Sequence, residues 1–258
     1  MNTENNDVVI DFKNVVHEFG HVVAVEDLNL QVKKGERVAI LGRTGAGKST
    51  VMNLLVGNMS PTKGTIRVNG KDPYAEHNAL QGKIGMAFQG PRLLPWRTAE
   101  ANVAIGQEIL KVKKSERLAN AHKWLAKMQL KDAAKMYPNQ LSGGMRQRVS
   151  LARAFAIDPA FVLLDESFSA LDEVTARELR DDFVALADAE QKTAVIVTHN
   201  IEEAFAIAHR VILLGRPARI LAEYRSAEEP RVGTPEFTRL RKTIHDLMVS
   251  ATAQTTSP

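Results

Sequence analysis

Residues 42–50 read Gly42, Arg43, Thr44, Gly45, Ala46, Gly47, Lys48, Ser49 and Thr50, the spacing G-x-x-x-x-G-K-[ST]. The chemistry this spacing suits is the holding of a polyphosphate. Glycines at 42, 45 and 47 permit positive φ and close backbone approach, so that successive N–H groups can converge on an anion. Lys48 supplies a point charge for β- and γ-phosphates and Ser49 a hydroxyl for Mg²⁺, while a helix beginning here directs partial positive charge at the same place. A glycine-rich linker that happens to contain Lys-Ser is the plain alternative. The flanks argue against it: Arg37 to Leu41 is an apolar run that reads as a buried strand, and Thr50 to Val56 reads as a helix.

Five further places carry side chains suited to the same chemistry. Phe161 to Glu166 is an apolar strand closing on two acids. Adjacent strand residues point to opposite faces, so Asp165 and Glu166 should serve different partners: Asp165 a magnesium ion through its water shell, Glu166 a water aimed at the γ-phosphate. Solvent-facing polar residues at a strand end are the competing reading, disfavoured by the phosphate loop. Ser142, Gly143 and Gly144 open a helix that runs to about Ile157, with Ser142 as its cap, and offer a second set of free backbone N–H groups. Gln89 follows the apolar strand Ile84 to Phe88 and can bind a cation or a water through its amide. His199 ends the β-branched strand Thr193 to Thr198, at the carboxyl edge where ligands of α/β proteins bind; it is either a satisfied polar residue or a donor to the γ-phosphate or the attacking water. Phe19, beside Gly20, either covers a sheet edge or stacks on a flat ring.

The elements that must position these groups can be read in outline. Val8 to Phe12 and Leu28 to Val32 alternate as strands, Thr65 to Val68 is another, and Asn69-Gly70 signals a hairpin. After Gln89 the texture changes. Residues 90–97 contain two prolines and no period, and helical patterns follow from Thr98 to Leu110 and from Lys113 to Leu130. Leu93, Leu94 and Trp96 either pack beneath this helical insert or form a docking surface. Asp172 caps a helix reaching about Glu190; Arg210 to Leu214 and Arg219 to Tyr224 close the sheet. Thr234 to Val249 is helical, with Ala251 to Pro258 a frayed tail.

Composition bounds the rest. The 258 residues, 44% hydrophobic and 25% charged, describe a globular chain with a full core. With no cysteine, neither a disulfide framework nor a thiolate metal site is available. The start is polar and acidic, unlike a signal peptide, and no run of eighteen apolar residues could span a membrane, so a membrane role would need an anchoring partner. The net charge of +4 is unevenly spread: residues 90–157 hold 13 Lys/Arg and 4 Asp/Glu. Glu116, Asn120, Lys123, Lys127 and Lys131 recur at helical spacing opposite Leu118, Ala121, Leu125 and Met128, which favours a solvated face over an anionic membrane or acidic partner.

Taken together, GRTGAGKST, Gln89, the LSGGM of residues 141–145, the FVLLDE of residues 161–166, the SALD of residues 169–172 and His199 resemble the ATP-binding subunit of ABC transporters. The likeness spans about Val8 to Tyr224, and LSGG shortly before the acidic strand is its most specific part. It implies an α/β P-loop nucleotidase core with a mixed sheet, an antiparallel β subdomain and an inserted helical subdomain. The implied divisions are residues 1–89 and 158–225 for the core, 90–157 for the helical signature subdomain, and 226–258 for a C-terminal helix and flexible tail. Residue by residue, it implies adenine stacking by Phe19, phosphate binding by residues 42–50 with Lys48, magnesium contacts from Ser49, Gln89 and Asp165, a catalytic base at Glu166 and a γ-phosphate sensor at His199. Two departures stand out: the family usually has proline where this chain has Ser167, and glycine or alanine where it has Ser169. Losing the proline should make the loop that carries Glu166 less rigid.

The resemblance also implies partners. Two such subunits pack head to tail, each ATP lying between the phosphate loop of one and the Ser142-Gly143-Gly144 equivalent of the other. The pair drives integral membrane permeases, with an external solute-binding protein beyond them, from the cytoplasmic face of the inner membrane. Nucleic acid is not expected. The loop of residues 91–98 and the tail from Arg231 are similar to those of importers for nitrate, sulfonates and taurine. An exporter subunit, or a cassette acting on nucleic acid or ribosomes, is the alternative.

Overall fold

The computed structural model describes residues 7–253, which divide into two compact units: residues 7–80 with 195–253, and residues 81–194. The first unit opens on two long strands, β1 (Val8–Phe19) and β2 (Val22–Lys33), each more than twice as long as alternation alone suggested. The reason lies in Asn14 and Asp27, both at positive φ (48° and 41°), which bulge the pair and shift its register between Phe12 and Val15. The bulge is sewn by Asn14 Nδ2 donating to Asp27 Oδ1 at 3.1 Å and by the Asn14 amide donating to Asn29 Oδ1 at 2.8 Å. A broken alternation thus hides a continuous strand. The chain continues through β3 (Arg37–Leu41), buried throughout, α1 (Lys48–Leu55) and β4 (Lys63–Val68). Strands β2, β1 and β4 form an antiparallel sheet, and Asn69-Gly70, both at positive φ, make the expected tight turn after β4.

The second unit begins with β5 (Ile84–Phe88), then α2 (Ala99–Ile109), α3 (Lys114–Lys127), α4 (Gly143–Ala156), β6 (Phe161–Asp165) and α5 (Glu173–Ala189). Strands β5 and β6 pair in parallel, Ala87 opposite Leu164 and Phe88 opposite Asp165. Both strands are short and apolar, as buried parallel strands are. The helices bury Ala121, Trp124, Leu125, Val149, Leu151 and Phe155, with the Trp124 and Phe155 rings stacked 5.2 Å apart. On the basic face of α3, Lys127 pairs with Glu190 and lies 4.9 Å over the Trp124 ring. Asn120 is not wholly on the solvated face, since its amide donates to the Ala156 carbonyl at 2.7 Å.

The chain returns to the first unit with β7 (Ala194–Thr198), α6 (Ile201–Ile207), β8 (Arg210–Leu214), β9 (Ile220–Arg225) and α7 (Pro235–Ala253). β3 runs parallel to β8, and β9 is antiparallel to β8. The α7 helix is longer than periodicity suggested: it takes in Ala251 to Ala253, expected to fray, while residues 254–258 lie outside the described chain. It buries Phe237, Ile244 and Met248, and the Phe237 ring meets Phe205 of α6 edge-on at 5.4 Å. Among the described residues, no helix is long and apolar enough to cross a membrane.

Candidate functional site

In the first unit the phosphate loop joins β3 to α1. Gly45 and Gly47 have φ of 84° and 82°, and Gly47 serves as the helix N-cap without a side-chain bond. A Cβ on Gly47 would lie 2.7 Å from the Ala218 Cβ and 2.8 Å from the Ala24 carbonyl oxygen, so any side chain there collides with backbone. Ala218 and Ala24 are themselves hydrogen-bonded, Ala218 N to Ala24 O at 2.9 Å, which fixes the wall against which the loop turns. Of the two freedoms expected of these glycines, positive φ and close approach, Gly42 uses only the second. Gly42 is not left-handed; its role is closeness, a Cβ there lying 3.2 Å from the Leu214 carbonyl oxygen. The buried Lys48 folds back over the loop and donates to the carbonyls of Gly42 (2.7 Å) and Arg43 (3.1 Å). Its ammonium is thereby held inside the turn, where an anion on the loop amides would meet it. Arg43, Thr44, Gly45 and Ser49 are exposed.

His199 is brought to the same place. It lies just beyond the buried strand β7, exposed, and Asn200 caps the following helix by accepting from the Glu203 amide at 3.1 Å. A cavity of about 300 Å³ is lined by Arg43, Thr44, His199, Ile201, His245 and Met248. Residues of the phosphate loop and a histidine more than 150 positions later thus share one wall. His245 and Met248, on α7, belong to that wall as well; their place on an amphipathic helix is the one sign of them in the sequence. Phe19 is not part of this lining. It is 52% exposed at the end of β1, its ring edge-on to His17 at 4.6 Å.

In the second unit, Ser142 caps α4 as expected, its hydroxyl accepting from the Met145 amide at 3.2 Å. Ser142 and Gly143 are exposed, whereas a Cβ on Gly144 would come within 2.7 Å of Thr175 Cγ2. Gln89 is exposed immediately after β5. Asp165 ends β6, but Glu166 has φ 47° and has left the strand. The separation of the two carboxylates therefore comes from a left-handed turn rather than from strand pleating, as the sequence argument had it. Ser167 is buried, with its hydroxyl donating to the Ala87 carbonyl at 2.9 Å, and Ser169 donates to the Glu166 carbonyl at 2.8 Å. The expected loosening of this loop is therefore countered by two hydrogen bonds.

Three polar side chains that sequence reasoning passed over organise the chain on either side of Gln89. Gln147 of α4, buried, donates to the Phe88 carbonyl at 2.9 Å. Arg153 donates to the Pro91 and Arg92 carbonyls, both at 2.8 Å. Asn102, fully buried, donates to the carbonyls of Leu94, Arg97 and Thr98 and accepts from the Leu94 amide at 2.7 Å. The only signal available was a polar residue at an apolar helix position. Trp96, in the loop so held, is 70% exposed.

Among the described residues no three His, Asp or Glu side chains cluster as a metal cage. The donors singled out for magnesium are a hydroxyl, an amide and one carboxylate. Such a set suits an ion that takes its remaining ligands from phosphates and water.

The loop, the capped second helix start and the turn after the acidic strand are those of an ATP-binding cassette, and the chain belongs to the ABC transporter family, whose model matches residues 25–169. Among its relatives is the taurine import ATP-binding protein TauB of Escherichia coli K12, 39% identical over 217 residues, covering 83% of this chain and 82% of that protein. The ABC transporter ATP-binding protein MJ0412 of Methanocaldococcus jannaschii is 37% identical over 233 residues, 88% of this chain and 85% of that one. Among solved structures, a dimeric post-hydrolysis state of the ATP-binding cassette MJ0796 bound to ADP and Pi aligns with TM-score 0.72 and 34% identity, covering 84% of this chain and 98% of that one. The cbiO1 structure from Clostridium perfringens aligns with TM-score 0.81 over 96% of this chain and 99% of that one, at 23% identity, a likeness of fold. The α/β cassette expected from the sequence is the fold observed.

Proposed function

We propose that the chain hydrolyses ATP to power an importer of a small anion such as taurine, another sulfonate or nitrate, as a peripheral subunit on the cytoplasmic face of the inner membrane. The observation that carries this reading is the shared cavity of the phosphate loop and His199, beside the inward-folded Lys48. In it, the loop amides and Lys48 hold the β- and γ-phosphates, and His199 donates to the γ-phosphate. Ser49, Gln89 and Asp165 would hold the magnesium ion, which neutralises charge on the β- and γ-oxygens when bound. Glu166 orients the water and accepts its proton as it attacks in line. Phe19 stacks on the adenine. A second copy or a paralogue packs head to tail, presenting its Ser142-Gly143-Gly144 amides to the nucleotide, and hydrolysis opens the pair by removing those charge-assisted contacts. The exposed Trp96, on a loop fastened by Asn102 and Arg153, is suited to a permease, beyond which an external binding protein delivers solute.

The test is reconstitution with the permease in proteoliposomes, with magnesium and ATP. Phosphate release together with ATP-dependent uptake of labelled taurine is expected. Hydrolysis with uptake of a different labelled anion would keep the ATPase reading and change the solute, while the absence of any phosphate release would remove the reading altogether.

A further inference from the structure

Glu166 occupies a backbone region that side-chain-bearing residues rarely adopt, so something around it must hold it there. Two hydroxyls do. Ser169 grips the Glu166 carbonyl twice, through its amide at 3.1 Å and its hydroxyl at 2.8 Å, closing the turn. Ser167, 1% exposed, reaches across to the neighbouring strand and donates to the Ala87 carbonyl at 2.9 Å. Ala87 is two residues before Gln89, and the intervening Phe88 carbonyl accepts from Gln147, on the helix that begins at Ser142 and Gly143. One strand end therefore fastens both the turn of the acid and the helix of the second phosphate grip.

We propose that Ser167 and Ser169 are positioning residues for Glu166, replacing the rigidity of the usual proline by hydrogen bonds, and that the Ser167 tether to Ala87 fixes the acid relative to Gln89. This rests on Glu166 being the base. A base must sit within hydrogen-bond reach of the water it deprotonates, and small misplacements of a reacting group cost rate steeply while leaving substrate binding alone. A hydroxyl that only satisfied a buried carbonyl would instead affect stability and nucleotide affinity.

The experiment measures kcat, KM and labelled-ATP affinity for the full chain with its permease in the wild type and in the Ser167→Ala, Ser167→Thr, Ser169→Ala and Glu166→Gln variants, with a melting curve for each. Ser167→Ala is expected to lower kcat about tenfold with ATP affinity within about twofold. Ser167→Thr, which keeps the hydroxyl, should recover most of that loss. Ser169→Ala, at an exposed site that leaves folding intact, should lower kcat less, since the amide bond remains. If Glu166→Gln abolishes turnover while both alanine variants keep the wild-type kcat, the positioning role is wrong and the base assignment stands. Undiminished turnover in Glu166→Gln removes the base itself. A fall in melting temperature and ATP affinity in Ser167→Ala, with kcat unchanged or unrescued by threonine, would overturn the proposal in favour of a merely structural bond.

Discussion

The phosphate loop and the acid turn solve the same problem, holding a short loop in an unusual backbone shape at the end of a buried strand, by opposite means. The phosphate loop draws its special residues from its own short sequence and uses distant neighbours only as the Ala24 and Ala218 wall against which it turns. Its left-handed residues are glycines, its cation bonds to its own carbonyls, and its anion-binding charge comes from the helix that directly follows. The acid turn has a glutamate at positive φ and depends on hydroxyls, one of which reaches a carbonyl 80 residues earlier in the chain. One shape is written in consecutive residues, the other in a register between strands.

The largest effect should come from the acid itself. On the proposed role of Glu166 as base, Glu166→Gln keeps size and shape while removing that function, and kcat should fall by about 10²–10⁴-fold with ATP binding retained and the closed pair longer-lived. Single-turnover phosphate release and labelled-ATP titration check the two halves separately. Next come changes to the phosphate loop. In the proposed binding mode Lys48→Ala removes charge-assisted contacts to the phosphates and should weaken ATP binding by about 10–100-fold. Gly47→Ala should weaken it about tenfold or more, because its methyl meets the Ala24 carbonyl and its φ is wrong for alanine. Should Gly47→Ala bind ATP normally, the contrast between a locally encoded loop and a tertiary-held one would lose its first half.

A smaller effect is expected where the two strands and the helix are joined. Gln147→Leu leaves the Phe88 carbonyl without its side-chain donor and should cost about 1–3 kcal/mol of stability, with a fall in kcat of a few-fold and little change in ATP affinity. Urea unfolding and steady-state kinetics read the two quantities. Paired with Ser167→Ala, the losses in kcat should be non-additive, because both bonds hold one strand end. Strict additivity would mean that the two tethers act on separate things.

How much of this could be read from sequence follows the same division. The phosphate loop, the Ser142 cap and the bounds of β3, β5 and β8 were legible because each depends on neighbours a few residues apart. The length of β1 and β2 was not, because Asn14 and Asp27 break the alternation and only their pairing across the hairpin shows the strand continuing. Gln147 and Asn102 looked like ordinary polar residues; what makes them informative is burial against backbone carbonyls, which no spacing announces. The proline expected at 167 was legible as a loss, and its compensation was not. His199 was identified at its strand end, but His245 and Met248 share its cavity only because α7 packs back on α6 through Phe205 and Phe237.

The least effect, and the sharpest control, belongs to Asp172. It lies in the second unit, close to the acid turn, yet is held locally: its carboxylate caps α5 by accepting from the Thr175 amide at 3.0 Å. That hydrogen bond holds its pKa below the usual aspartate range. A carboxylate with a lowered folded-state pKa contributes stability that is present above its unfolded pKa and lost as pH falls through the folded value. The cap should therefore be intact at neutral pH and fade in strongly acidic solution, below the ordinary aspartate value of 3.8. Asp172→Asn, which caps without titrating, should match the wild type at neutral pH and change less in acid, while Asp172→Ala should melt lower at neutral pH. Thermal unfolding of the three proteins at pH 7 and about pH 3 measures this. If Asp172→Asn and the wild type lost equal stability on acidification, the cap would not depend on its charge, and local encoding in this unit would rest on geometry alone.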